Sequence, residues 1–536
     1  MSAGRDTAIV SLSLAIALSL GAFALPASAA GNPDRANRAL GMLKAHGQAA
    51  RVSPADAFVA RDVVVDPDGT EHVRFTRSYA GLPVIGGDVV VHSRGGQFKS
   101  ASLTQAAAAK LSTRSRISHD DAIVAAGIEF GNAFTGVPFA QPVVYARGHG
   151  TPRLAWQVRM DGGDGIGNPV EMTYIVDARD ARVLDRWSRL ETIKPTAKAG
   201  ANGIALSLAN GKGRSLYSGN VDVSTVDCGA SSYAMRDAER GNALTTDMSG
   251  ATAGNGTVFT DRDNVWGRNA AKDPASAAAD ASYGVASTWD YFLRVHGREG
   301  VDGWGTGTAA RVHYGRGVVN ASWSDDCYCV SFGDGDGRAW GPMVSVDIAG
   351  HELSHGVTSR TAALLYSGES GALNEATSDI FGTMVEFHAG NAFDRPDYTI
   401  GEQASITAGG RALRYMFKPS RDGASSDCWN SDVGSRDVHY GSGVANHFFY
   451  LLAEGAVAPA GYSYSAAQLV CDGNTGLAGI GRDKAERIWF RALTLYFTSD
   501  TDYAGARTAT ISAARDLYGD ATATAVGRAW SAVNVY

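Results

Sequence analysis

Residues 351–382 read HELSHGVTSRTAALLYSGESGALNEATSDIFG, and this stretch decides how the rest of the chain is taken. His351 and His355 are four apart, so on a helix they share one face, one turn apart. Two imidazoles so placed reach a single cation, and Zn²⁺ is the natural occupant of such nitrogen donors. Glu352 stands beside the first of them, where a carboxylate can accept a proton from an attacking water. A catalytic zinc needs a third protein ligand and one open position. A third His six residues after His355, with a Gly before it, is excluded because Thr361 and Thr358 occupy those positions. Further on, Glu375 and Asp379 are again four apart, at the start of an apolar helix that continues as Ile380-Phe381-Gly382-Thr383-Met384-Val385. Glu375 can supply the third ligand. Asp379 can accept the free ring N–H of a ligand His and so fix its tautomer.

Toward the N-terminus the texture changes twice. Residues 8–25, AIVSLSLAIALSLGAFAL, follow Arg5 and precede Pro26-Ala27-Ser28-Ala29-Ala30. That is the pattern of a secretory signal over residues 1–30, with cleavage near Ala29 or Ala30. No later run reaches about 18 apolar residues, so no other membrane span is expected. Residues 31–197 alternate like short strands, as in Glu71-His72-Val73-Arg74-Phe75-Thr76-Arg77, with turns at Pro67-Asp68-Gly69 and Arg94-Gly95-Gly96. A helix is expected over 119–130, and strands near 142–150, 153–160 and 170–177. This α+β stretch holds no cluster of His, Cys or carboxylates. Residues 188–203, SRLETIKPTAKAGANG, read as an exposed, cleavable linker.

Length and composition fit this division. The chain has 536 residues, 44% hydrophobic and 19% charged, enough for several packed units and too apolar for a disordered chain. With 48 basic against 55 acidic residues there is no basic footprint for nucleic acid.

Together with DVHYGSGVANHFFYLLAEG at 437–455, the opening stretch resembles the thermolysin-like family of secreted zinc endopeptidases, over most of residues 200–536. The resemblance implies a two-lobed α+β zincin, with a β-rich lobe at 198–350, a helical lobe at 351–536 and zinc in the cleft between them. It implies one catalytic zinc on His351, His355 and Glu375, with Glu352 as general base. It implies that Tyr366 and His439 stabilise the developing oxyanion, with Asp437 orienting His439 as in the pseudolysin branch. Asn320-Ala321-Ser322-Trp323 resembles the edge strand on which Asn320 and Ala321 bind a peptide backbone by strand addition. Arg414 matches the guanidinium that grips a substrate carbonyl. Trp340, Met343, Ile348, Ile400 and Leu413 match the first primed subsite, which implies cleavage on the N-terminal side of large hydrophobic residues.

At least one calcium is implied by Asp347, Glu386, Asp397 and Glu402. Between Glu386 and Asp397 the chain carries about three residues more than thermolysin, and Thr399 stands where thermolysin has a Glu. That departure favours one ion over two. The Asp-Gly-Asp-Gly run at 334–337 is taken as a turn.

Residues 31–197 resemble the family's propeptide. GLPVIGGDVVVHSRGGQFKSASL (81–103) marks its N-terminal module, about 50–104, and 117–188 a PepSY-like one. The expected product is a secreted, monomeric enzyme. It acts on protein and peptide substrates, with its own propeptide as folding aid and intramolecular inhibitor, no nucleic acid partner and no stable membrane association. All five cysteines lie beyond residue 200, where export permits disulfides. The expected pairs are Cys428 with Cys471, and Cys228 with Cys327 or Cys329. Cys327 and Cys329, two apart on an expected strand, are disfavoured as partners.

Overall fold

The computed structural model describes residues 33–148, 150–163, 169–189, 207–407 and 410–536. The expected signal and nearly all of the linker lie outside these. Helix α1 (Pro33–Ala45) is followed by strands β1 (Asp56–Val65), β2 (Thr70–Tyr79), β3 (Leu82–Ile85), β4 (Val89–Arg94) and β5 (Gln97–Ser102). Then come α2 (His119–Phe130), β6 (Phe139–Tyr145), β7 (Arg153–Gly163), β8 (Pro169–Asp177) and β9 (Val183–Ser188).

All nine strands form one sheet, because β3 pairs parallel with β6 and joins the two halves. Alternation gives each strand of the first half two faces. Val73 and Phe75 of β2 and Val89 and Val91 of β4 form a core with Ala39 and Leu43 of α1. In the second half, Ala122, Ala126 and Phe130 of α2 pack on Val158, Met160, Tyr174 and Val176. Helix α2 starts in a capping box between Ser118 and Asp121 and ends at Gly131 in the left-handed region.

Beyond the linker, β10 (Ser207–Arg214) and β11 (Asn220–Asp227) form an antiparallel pair. A second sheet is built from β12 (Ala243–Asp247), β13 (Ala309–Val312), β14 (Ala321–Ser324) and β15 (Cys329–Phe332), with β14 at its edge. Helix α3 (Pro274–His296) is capped by Asp273, with Pro274 in its first turn. Helices α4 (Val346–Ser359) and α5 (Gly368–Ala389) follow, then the short pair β16 (Thr399–Ile400) and β17 (Arg414–Tyr415). The chain ends in α6 (Val438–Gly441), α7 (Gly443–Glu454), α8 (Arg482–Arg491), a π-helical turn at Ala492–Tyr496, α9 (Tyr503–Tyr518) and α10 (Asp520–Ser531).

One hydrophobic core runs from Val221 to Val535, whereas the first 189 residues keep separate cores. Among the described residues no helix is long and apolar enough to cross a membrane.

The cysteines correct one expectation. Cys428 pairs with Cys471, but Cys327 pairs with Cys329, and Cys228 is free and exposed. Pairing across two residues is possible because Cys327 precedes β15 instead of lying on it. Tyr328 turns the chain at φ +52°, which brings the two Cα atoms to 5.2 Å.

Candidate active site

Helices α4 and α5 cross at glycines. A Cβ on Gly382 would stand 2.5 Å from the carbonyl oxygen of Asp347, and one on Gly350 would stand 2.9 Å from the Gly382 Cα. Only bare backbone allows so close a crossing. It brings the His face of α4 against the Glu375 face of α5.

The result is a three-donor cluster. The Nε2 atoms of His351 and His355 are 3.1 Å apart, and they lie 3.6 and 3.4 Å from the two carboxylate oxygens of Glu375. Each imidazole is anchored from behind: Nδ1 of His351 by Asp379 and Nδ1 of His355 by Asn374, both at 2.8 Å. With the δ protons used this way, both ε lone pairs point into the cluster. Asp379 is itself clamped by two nitrogens of Arg414, at 2.7 and 2.6 Å, and by the side-chain amide of Asn446 at 2.7 Å. The sequence reading missed Asn374 and Asn446. Asn374 precedes Glu375, and Asn446 sits inside the quoted 437–455 stretch, so their positions were the available signal.

Burial sets the electrostatics. Desolvation pushes the Glu352 carboxyl up to about 7, and desolvation pushes the His355 imidazole down to about 4. Against its own burial, Glu375 is held down at about 2 by the charges of His439, His351 and His355. Its Oε2 is buried without a hydrogen-bond partner. An orphaned carboxylate oxygen facing two imidazole lone pairs fits a cation between them.

The other predicted residues surround this cluster. The Tyr366 hydroxyl donates to Oε1 of Glu375 and lies 3.3 Å from Nε2 of His439. His439 is half-exposed, and Nδ1 of its ring meets Asp437 at 2.7 Å. The cleft, about 790 Å³, is lined by Glu352, Asn320, Ala321, Met343, Ile348, Ile400, Leu413 and Arg414. Trp340 is not among its lining residues; it is half-buried and bridges its backbone to Ser405. Asp185, Arg186, Trp187 and Ser188 of β9 line the same cleft from the other side.

The carboxylates expected to hold calcium are arranged differently from the sequence reading. Glu386, Asp394 and Glu402 bring carboxylate oxygens within 4.8 Å of one another. Both oxygens of Asp394 and Oε1 of Glu386 are buried without partners. Asp397 instead accepts from Thr399, through its amide at 2.6 Å and its hydroxyl at 2.7 Å. Asp347 accepts from Ser345 and from the amides of Ile348 and Gly401. Desolvation, with the charge of Asp347 next, raises Glu386 and Glu402 well above the usual carboxylate range and Asp394 to about 7.

Three family descriptions match the chain: "Thermolysin metallopeptidase, catalytic domain" over residues 210–359, "Thermolysin metallopeptidase, alpha-helical domain" over 362–535, and "Fungalysin/Thermolysin Propeptide Motif" over 56–104. A transglutaminase-activating metalloprotease of Streptomyces mobaraensis is 44% identical over 490 residues, which cover 90% of this chain and 61% of that protein. The chain thus spans under two thirds of that relative's length. A thermolysin of Alicyclobacillus acidocaldarius is 35% identical over 492 residues, covering 88% of this chain and 84% of the relative. Among solved structures, the precursor of protealysin from Serratia proteamaculans aligns with a TM-score of 0.43 and 28% identity, over 55% of this chain and 87% of that one.

Proposed function

The chain belongs to the thermolysin family of metallopeptidases, and from that premise we propose that it is a secreted, monomeric zinc endopeptidase made as a zymogen. The observation that carries the reading is the buried triad of His351, His355 and Glu375, with the raised carboxyl of Glu352 beside it. When bound there, zinc would polarise the scissile carbonyl and make the attacking water more acidic.

This chain's own residues then do the rest. Glu352 accepts the water proton as the oxygen attacks, and passes it to the leaving amine as the C–N bond breaks. The Tyr366 hydroxyl and Nε2 of His439 donate to the oxyanion as it develops, and Asp437 keeps the His439 ring turned that way. Asn320 and Ala321, at the start of edge strand β14, hold the substrate backbone by strand addition. Arg414, fixed by Asp379, reaches a substrate carbonyl.

Met343, Ile348, Ile400 and Leu413 favour a large hydrophobic residue on the C-terminal side of the scissile bond. Strand β9 lines the same cleft, which supports the propeptide as intramolecular inhibitor. Glu386, Asp394 and Glu402 form a calcium site, with Asp347 and Asp397 beside it. Glu386 and Asp394 are buried with orphaned oxygens, and when ionised they and Glu402 repel one another unless a hard cation sits among them.

Glu352→Gln tests the reading. The variant should bind one zinc per chain like the wild type and cleave peptides at least about a thousandfold more slowly. Turnover near that of the wild type sinks the assignment.

A further inference from the structure

The core-distal face of the first propeptide half is polar and carries a histidine pair. His72 of β2 and His92 of β4 are register partners, and they project away from the Val73, Phe75, Val89 and Val91 core. Their Nδ1 atoms are 2.7 Å apart. Both are nearly inaccessible, 3% and 4% exposed, and both rings lie against the catalytic half of the chain. Tyr496, from the π-helical turn, stacks on His92 at 4.9 Å and meets His72 edge-on at 6.1 Å.

We infer that His72 and His92 form a pH-sensitive latch that holds the propeptide on the enzyme when both rings are neutral and loosens it on acidification.

The hydrogen bonds fit two neutral rings in one direction. Ser102 Oγ lies 2.9 Å from Nε2 of His92, and Nε2 of His72 lies 3.1 Å from Asp66. Ser102 donates to His92, Nδ1–H of His92 donates to Nδ1 of His72, and Nε2–H of His72 donates to Asp66. Every polar atom is then satisfied. A further proton on His72 has only Nδ1 to occupy, where it faces another N–H at 2.7 Å. A further proton on His92 requires Ser102 to turn and accept.

The surrounding charges decide the sign. Arg491 of α8 pairs with Asp66 at 2.6 Å and with Asp516 of α9 at 2.9 Å, and Tyr496 donates to Asp516. Arg74, next on the same face of β2, reaches Asp88 at 3.5 Å and the Thr494 carbonyl at 3.2 Å. Desolvation lowers His72 although Asp66 opposes it. Desolvation, with the charges of His72, Arg74 and Arg491, lowers His92 to about 3. A histidine depressed when docked binds its proton preferentially in the released state. Its contribution to docking is therefore complete above about pH 6.5 and is lost as pH falls toward the docked pKa. For one ring kept neutral when docked, the bias toward release grows about 30-fold between pH 7.5 and pH 5.

The test uses the full-length Glu352→Gln chain, with intact mass reporting separately on processing, so the latch and the proposed catalysis fail independently. Two backbone amides report docking: Ser499 N–H donates to Asp88 across the interface, and Gly148 N–H donates to Asp500 at 2.7 Å. Hydrogen exchange at these amides, corrected for the chemical rate, should accelerate about 30-fold or more from pH 7.5 to 5. In His92→Asn, which keeps a δ donor but cannot titrate, the acceleration should shrink by that ring's factor of about 30. Equal pH dependence in the two chains overturns the latch. Should His92→Asn not fold, the exchange of the imidazole C2 hydrogens in the parent chain decides. Depressed pKa values for both rings support the latch, and values near 6.5 with the amides still protected overturn it.

Discussion

Asn374 Oδ1 accepts the ring proton of His355 Nδ1 at 2.8 Å, while the Asn374 side-chain amide donates to the Leu364 carbonyl at 3.0 Å. The amide therefore cannot flip without losing both bonds, and His355 is held with its ε lone pair facing Glu375. Asp379 does the same for His351, so each imidazole has one buried orienting partner. Asn374→Ala should weaken zinc binding by about 10- to 100-fold, as loss of an orienting partner does elsewhere. Competition against a chromophoric chelator measures it, and an unchanged affinity would show that His355 needs no such support.

Asp394 lies in the segment between Glu386 and Asp397. Both of its oxygens are buried and unpartnered, and a calcium ion would satisfy them. Chelating calcium from the wild type should lower its melting temperature, because an ion at about 100 times its Kd contributes about 2.7 kcal/mol. Asp394→Asn should bind calcium at least about tenfold more weakly by titration calorimetry. Equal affinity in the two proteins would leave Asp394 outside the ligand set.

The difference between Asp397 and Asp394 marks where the sequence stopped being legible. Helical ligand pairs are set by a period of 3.6 residues, so His351 with His355 and Glu375 with Asp379 could be read directly. The fold of the catalytic half was implied by the family resemblance those motifs carry, and the strands of residues 56–104 came from alternation. Loop carboxylates obey no period: Asp394 stands among Glu386 and Glu402, while the Asp397 carboxylate accepts from Thr399 and its amide donates to Glu386. The backbone bridge from Trp340 to Ser405 likewise depends on a loop that no local pattern encodes. The Cys327–Cys329 pair was hidden because strand spacing was assumed where the chain turns. The docking face around His72 and His92 was invisible, because alternation tells which residues leave one core and not what covers them.

The two disulfides should differ in what they contribute. Cys428–Cys471 spans a sequence separation of 43, and Cys327–Cys329 a separation of 2. Loop-closure entropy in the unfolded chain assigns about 4 kcal/mol to the first and about 1.6 kcal/mol to the second. Replacing Cys428 and Cys471 together by Ser should therefore lower the denaturation midpoint far more than the same change at Cys327 and Cys329. Equal losses would contradict the entropic ranking.

Among the described residues, Arg147 joins propeptide to enzyme through several hydrogen bonds. Its guanidinium reaches Asp500 at 2.7 Å, Asp185 at 2.6 Å and Ser370 at 2.9 Å, and it also donates to the Ser367 hydroxyl. Arg147→Ala leaves two carboxylates in that site without their cation, a change that typically costs about 3–5 kcal/mol. In the Glu352→Gln chain, exchange at Gly148 and Ser499 should quicken at every pH. A propeptide that stays equally protected would place the docking energy elsewhere.

Glu486 supplies a stability prediction independent of both metal sites. Its carboxyl accepts from the Tyr291 hydroxyl at 2.8 Å, and His296 lies 3.0 Å from the same hydroxyl. Desolvation raises Glu486 to about 7, above the ordinary 4.5. An acid raised on folding favours its protonated form in the native state. Its contribution is therefore complete below about pH 4.5 and is lost as pH rises through 7. Glutamine keeps an oxygen for Tyr291 and carries no charge. Glu486→Gln should be more stable than the wild type by about 2–3 kcal/mol at pH 8, with the gap closing toward pH 4.5. Denaturant melts at the two pH values measure it, and a gap that does not depend on pH would mean that Glu486 ionises in the folded protein as easily as in water.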